Sequence, residues 1–194
     1  CLVGSEMCIR DRSKLMVENM LRDICAVHDI NATCFRYFNA AGADPSGSIG
    51  EAHDPETHLI PNILKSTISG GSVLKVFGND YETRDGTCVR DYVHVTDLAQ
   101  AHLLGLEHMK HNRGFSAFNL GNGSGFSVLE VIESCERVVS NKVPYDIALP
   151  REGDPARLVA NSAAAIREIG WKPYFEEIDD IVASAWRWHK LKVS

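Results

Sequence analysis

Apolar positions along the chain fall into two spacings that alternate. Between residues 13 and 28, Leu15, Met16, Met20, Leu21 and Ile24 recur three to five apart with charges between them, which predicts an amphipathic helix. Residues 33–38 form a short β-branched and aromatic run that predicts a strand. The stretch 39–50 behind it, rich in Gly, Ala, Asp, Pro and Ser, predicts a long loop. A helix over 59–69 is closed by Gly70-Gly71, then come a strand over 73–77, a polar turn over 78–86 and a strand over 88–94. Thr96 or Asp97 is expected to cap a helix running to about residue 109, and Ser127 with Glu130 makes a capping box ahead of a helix over 128–139. Two further helices, 161–169 and 178–191, flank Gly170-Trp171-Lys172-Pro173, and strands near 116–120 and 144–148 complete the series. Alternating helices and strands at these spacings predict an α/β protein, and no internal repeat is visible.

Composition narrows the partners more than the chemistry. With 194 residues, 44% hydrophobic and 24% charged, the chain can build one sizeable core. A net charge of −6 argues against nucleic acid, although a few local arginines can still hold a small anion. Cysteines stand at positions 1, 8, 25, 34, 88 and 135, with no CxxC spacing, so they are read as reduced thiols and no metal site is expected from them. No membrane-spanning run and no secretory leader is present, and the expected location is cytoplasmic.

The first twelve residues, CLVGSEMCIRDR, follow neither spacing and join abruptly to the helical pattern at Ser13. They look like a transposase sequencing adapter translated in frame. Residues 1–12 are therefore expected to be non-native and are set aside from the fold.

Three places carry candidate chemistry. Gly121-Asn122-Gly123-Ser124-Gly125 lies between a predicted strand and a predicted helix, where a dinucleotide-binding turn would lie. Phe126 occupies the place of the third glycine, so the segment is read as a tight strand-to-helix turn instead. Arg90-Asp91-Tyr92 and Arg151-Glu152-Gly153-Asp154 each pair a guanidinium with a carboxylate near a turn or strand end. Arginines fork onto phosphate oxygens and carboxylates accept hydrogen bonds from sugar hydroxyls, so the two clusters suit a sugar phosphate. Surface ion pairing is the competing explanation for either one.

A series of motifs in fixed order extends this reading. Ser13-Lys14-Leu15-Met16-Val17-Glu18 is followed by Arg36-Tyr37-Phe38-Asn39, Gly42-Ala43, Pro45-Ser46-Gly47, Gly50-Glu51 and His58-Leu59-Ile60-Pro61. Val76-Phe77-Gly78-Asn79-Asp80-Tyr81, Asp85-Gly86-Thr87, Val89-Arg90-Asp91-Tyr92-Val93-His94-Val95, Asp97-Leu98-Ala99, Asn119-Leu120-Gly121 and Arg151-Glu152-Gly153-Asp154-Pro155 complete it. From Ser13 to the final helix the chain resembles the latter half of the UDP-glucose 4-epimerases, which are extended short-chain dehydrogenases/reductases. The resemblance implies the final Rossmann strands and helices plus a smaller α/β substrate-binding domain over 13–194, with the NAD-binding half missing.

In that family, NAD takes a hydride from C4 of a UDP-hexose and returns it to the other face, while a tyrosine assisted by a lysine four residues later moves one proton. Lys14 matches the lysine, but Arg10 stands in the tyrosine's place, so the chain as given is expected to be inactive. By the same resemblance Phe38 borders the nicotinamide and Asn39 the sugar or its diphosphate. His58, Leu59, Lys75, Val76 and Phe77 meet the nucleotide, Arg90 and Arg151 pair with the diphosphate, and Asp154 lies near the ribose. Tyr92 either reaches the nucleotide or packs its strand. Leu158 falls where a larger tyrosine can gate the C2 substituent of the sugar, which implies room for an N-acetylhexosamine. Asn161 and Ala164 depart from the family's aspartate and lysine, and Asn161 is expected to retain a capping role. The intact parent is expected to be a homodimer through the helix that bears Lys14. Three readings stay open: a UDP-hexose 4-epimerase, a related nucleotide-sugar epimerase or dehydratase, and a non-catalytic UDP-binding fragment.

Overall fold

Helix α1 (Glu6–Val27) lies against strand β1 (Ala32–Arg36), to which Arg36 ties it by donating to Glu18 from both Nε, at 2.7 Å, and a terminal nitrogen. In the computed structural model, which describes residues 6–69 and 73–193, α1 begins seven residues before Ser13. Part of the segment set aside as adapter-like is thus helical, as expected once a formed helix only has to add turns. The remaining helices are α2 (Leu59–Ser69), α3 (Val95–His111), α4 (Val128–Val139), α5 (Ala163–Ile169) and α6 (Ile178–Val193).

The strands are shorter than the sequence pattern predicts. The run over 33–38 stops at Arg36, whose carbonyl accepts from Leu120 N, and pairing resumes in β2 (Asn39–Ala41), inside the expected loop. The run over 88–94 divides at Asp91 into β4 (Val89–Arg90) and β5 (Tyr92–His94). Also present are β3 (Leu74–Phe77), β6 (Phe115–Asn119), β7 (Phe126–Ser127), β8 (Tyr145–Ala148) and β9 (Arg157–Leu158). Parallel pairs β1–β6, β2–β5 and β3–β8 stand beside a three-stranded sheet in which β4 is antiparallel to β7 and parallel to β9.

Two helix starts differ instructively. Ser127 and Glu130 form the expected reciprocal box on α4. Helix α3 is capped neither by Thr96 nor by Asp97 but by His94, whose Nδ1 accepts from Thr96 N at 3.1 Å. Asp97 is wholly buried and accepts instead from the backbone of Tyr174 and Phe175. Helix α5 begins at Ala163, and Asn161 Oδ1 does accept from Ala163 N, at 3.0 Å.

Burial resolves into two clusters rather than one. The first joins Ile60, Ile63 and Leu64 of α2, Val76, Val131, Ile132 and Cys135 of α4, and Ile181 and Val182 of α6. The second joins Val93, Leu98, Ala101, Phe118, Leu120, Ile169 and Trp171, with Trp171 Nε1 donating to Asp97 O at 3.0 Å. Each buried aliphatic side chain contributes about 1.5–3 kcal/mol. The apolar residues of α1 join neither cluster. Leu15, Met16, Met20 and Ile24 are exposed, and of this helix Cys25 is buried with Leu21 half-buried. Among the described residues no helix is long and apolar enough to cross a membrane.

Candidate functional site

Asp91 organises the floor on which the site is built. Its buried carboxylate accepts from Asn122 N at 2.9 Å, Gly123 N at 3.3 Å and Ala160 N at 3.0 Å. The glycine turn at 121–125 is thereby wrapped around a side chain of its own chain. A Cβ on Gly121 would collide with that carboxylate, which explains the residue type. Its amides at Asn122 and Gly123 are already engaged, so this turn does not fit a dinucleotide pyrophosphate, as its spacing predicted.

Above this floor lies a cleft of about 880 Å³. It is walled by the end of β2, the start of α2, strand β3, Arg90 of β4, the loop 151–154, Leu158 of β9 and the last turns of α6. Asn39, His58, Leu59, Lys75, Val76, Phe77, Arg90, Tyr92, Arg151, Asp154 and Leu158, dispersed over 120 positions of sequence, all line it, and so does Phe38. Lys14 does not; it is exposed on α1.

Both arginines are already oriented. Arg90 is largely buried, donates to Val89 O at 2.8 Å and is ion-paired with Asp154. The guanidinium of Arg151 sits 4.0 Å over the Phe77 ring, a cation–π arrangement that holds a charge beside an aromatic face. Asn39 is fixed by donating its amide to Asp91 O at 2.9 Å. Tyr92 packs into the first cluster, and burial pushes its phenol far above the usual range. Of the two roles open to Tyr92, the structure favours packing the strand; its hydroxyl is unsuited to proton transfer near neutral pH.

Among the lining residues to which the motif series gives no role are Glu51, Cys88, Trp188 and His189. Ala185, Trp188 and His189 are spaced i, i+3, i+4, which puts them on one face of α6, a signal for a shared face though not for what that face meets. Trp188 Nε1 donates to Glu51 O at 3.0 Å and so pins the loop that follows β2. Burial raises the Cys88 thiol above its ordinary value, which makes it an inert wall residue.

Taken together, the cleft offers two guanidiniums for an anion, an aromatic and aliphatic wall along β3 for a planar ring, and carboxylates for hydroxyls. Of the two residues expected near NAD, Phe38 is 46% exposed at the cleft and Lys14 is exposed on α1 outside the cleft lining, while the glycine turn is filled by Asp91. The turn's engaged amides thus do not fit the cofactor's pyrophosphate. Arg10, at the position of the expected tyrosine, lies in α1 with its side chain outside the described residues.

Comparison with known proteins agrees with this geometry. The model of the NAD dependent epimerase/dehydratase family matches residues 11–121. A UDP-glucose 4-epimerase of Lactobacillus helveticus is 51% identical over 178 residues, covering 92% of this chain and 54% of that protein. A crystal structure of a UDP-glucose 4-epimerase superposes with a TM-score of 0.90 at 44% identity, over 94% of this chain and 56% of its own. That of the Bifidobacterium longum UDP-glucose 4-epimerase in complex with NAD+ and UDP gives 0.87 at 38% identity, over 94% and 54%. The chain spans about half the length of the curated relatives it matches. With the family model covering more than half of its residues, the chain belongs to the NAD dependent epimerase/dehydratase family.

Proposed function

We propose that the full-length protein interconverts UDP-glucose and UDP-galactose, and that this chain is the part that holds the UDP moiety. The observation that carries the reading is the convergence on one cleft of Arg90, Arg151, Phe77 and the other motif residues from five separate segments. Support comes from the Bifidobacterium longum relative, whose structure contains both NAD+ and UDP.

In this reading Arg90 and Arg151 neutralise the diphosphate, and the β3 wall of Lys75, Val76 and Phe77 receives the uracil. Asp154, His58 and Leu59 meet the rest of the nucleotide, with Asn39 and Leu158 nearer the sugar. The bound NAD supplies the redox chemistry at C4. Phe38 borders the nicotinamide, and Lys14 contributes positive charge to the proton-moving phenol and a donor to the cofactor's ribose. An incoming phosphate competes with Asp154 for Arg90, so binding rearranges a preformed pair instead of charging an empty site.

Residues 13–194 then form the latter part of an extended short-chain dehydrogenase/reductase, with 1–12 foreign to it and the remainder of the NAD-binding domain supplied by sequence beyond this chain. The exposed apolar residues of α1 support docking against that domain or, in the intact protein, a homodimer through this helix. With Arg10 in the tyrosine's position, the chain alone binds UDP and does not turn over UDP-hexoses. Leu158, half-buried at the cleft, leaves room for a C2 acetamido group, so the intact protein also accepts UDP-N-acetylhexosamines.

Saturation-transfer NMR of UDP-glucose with the chain tests the orientation. The strongest transfer is expected at the uracil protons and the weakest at the glucose protons. Uniform transfer, or the reverse order, would contradict the assignment of β3 to the base.

A further inference from the structure

His58, given a nucleotide contact above, also belongs to a cluster of metal-ligating side chains whose other three members that reading does not use. Glu51, His53, Glu56 and His58 come from eight consecutive residues, spaced E-x-H-x-x-E-x-H, and one donor atom from each lies within 4.8 Å of all the others. His58 Nδ1 stands 2.6 Å from Glu51 Oε1 and 3.1 Å from Glu56 Oε1, while His53 Nδ1 is 2.9 Å from Glu51 Oε1. Two imidazole nitrogens and two carboxylate oxygens thus converge on a single point.

We propose that these four residues bind a divalent transition-metal ion of the zinc or cobalt class in the wall of the cleft. Ligand chemistry selects the ion, because two imidazoles favour zinc, cobalt and their neighbours over magnesium or calcium, which take oxygen donors. Spacing agrees as well. A tetrahedral site with bonds of about 2.0–2.1 Å has donors about 3.3 Å apart, so the observed separations require shifts of an ångström or so. The ion takes the place of the close contacts that His58 Nδ1 makes with the two carboxylates.

The surroundings hold the donors in place. Glu56 is fixed by Thr57 N at 2.9 Å and His58 N at 3.0 Å on Oε1, and by Lys65 Nζ at 3.2 Å on Oε2. Lys65 therefore leaves Oε1 to face the imidazoles, while its charge lowers affinity below that of an unopposed His2Glu2 set. At the other end, the Glu51 carbonyl is held by Trp188. Glu51 and His58 also line the cleft, which puts the ion in its wall.

The test is titration of the purified 194-residue chain with Co2+ alone, without nucleotide, followed by optical spectroscopy. One ion per chain is expected, with visible d–d bands and no near-ultraviolet thiolate band. His53→Gln is expected to weaken binding at least tenfold with the circular dichroism unchanged, since the His53 side chain is 61% exposed and its ring contact is with His58 of the same cluster. His111→Gln, on α3, is the control and should bind as the parent does. Protection of His53 and His58 from diethyl pyrocarbonate by Zn2+, read by mass spectrometry on the unmutated chain, gives a second readout. Absence of saturable binding, a thiolate band, unchanged affinity in His53→Gln, or no protection of these two histidines would each overturn the site.

Discussion

Helix α4 buries Val131, Ile132 and Cys135 to within 2% of full burial, whereas α1, almost twice as long, leaves Leu15, Met16, Val17 and Met20 between 54% and 64% exposed. Both helices are amphipathic in sequence, and α4 is also closed by a capping box. The difference lies in what surrounds them. Helix α4 is packed against both α2 and α6, while the main contacts of α1 are with β1 and β6. An apolar stripe tells which face of a helix will be covered, not whether the same chain covers it. The cleft thus rests on a core that this chain completes, and α1 presents a surface for something else.

Substitutions on the two sides should separate accordingly. The largest effect is expected for Ile132→Ala in α4, a loss of about 3 kcal/mol from lost burial and the cavity left behind. Urea denaturation reads it, and a loss below 1 kcal/mol would show that the first cluster is loosely packed. Ser127→Ala removes the acceptor for Glu130 N and the donor to Asp85, and should cost about 1–2 kcal/mol by the same measurement.

Glu18→Gln breaks the tie between α1 and β1. The Arg36 hydrogen bonds hold the Glu18 carboxyl below its ordinary 4.5, so its stabilisation is complete above about pH 4.5 and is lost as pH falls through the lowered folded value. The variant should be about 1 kcal/mol less stable at pH 7, allowing for solvent around Arg36, and the gap should narrow below pH 4.5. A gap that stayed constant to low pH would assign it to packing instead. Smallest of all, Met16→Glu with Met20→Glu should change the chain's own stability by under about 0.5 kcal/mol. A clear destabilisation would mean that α1 is packed within this chain after all.

Much of this arrangement was legible in the sequence where local chemistry decides it. The start of α4 follows from the Ser127–Glu130 box, and Phe126 correctly excluded the glycine turn as a pyrophosphate site, while Gly70-Gly71, expected to close α2, lie outside the described residues. Strands β7 and β9, two residues each, are too short to show any period and exist only because β4 lies between them. His94 escaped as the α3 cap because histidine is outside the usual capping set, and its choice is settled by the burial of Asp97. Arg90, Arg151 and the other motif residues that line the cleft were reached through motif order, not periodicity. Trp188 and His189 were not, because their place in the cleft depends on how α6 packs against α2. The Glu51–His58 cluster contains no cysteine, so cysteine spacing carries no sign of its His/Glu pattern within eight residues.

Isothermal titration of the chain with UDP, beside the Arg90→Ala, Arg151→Ala double variant, tests the central claim most directly. The account predicts one saturable site per chain, weakened by about 100-fold or more in the variant, as expected for losing two charge-assisted contacts. A folded, soluble chain that does not bind UDP, or a double variant that binds it as tightly, would contradict the assignment of the cleft and its two arginines to the diphosphate.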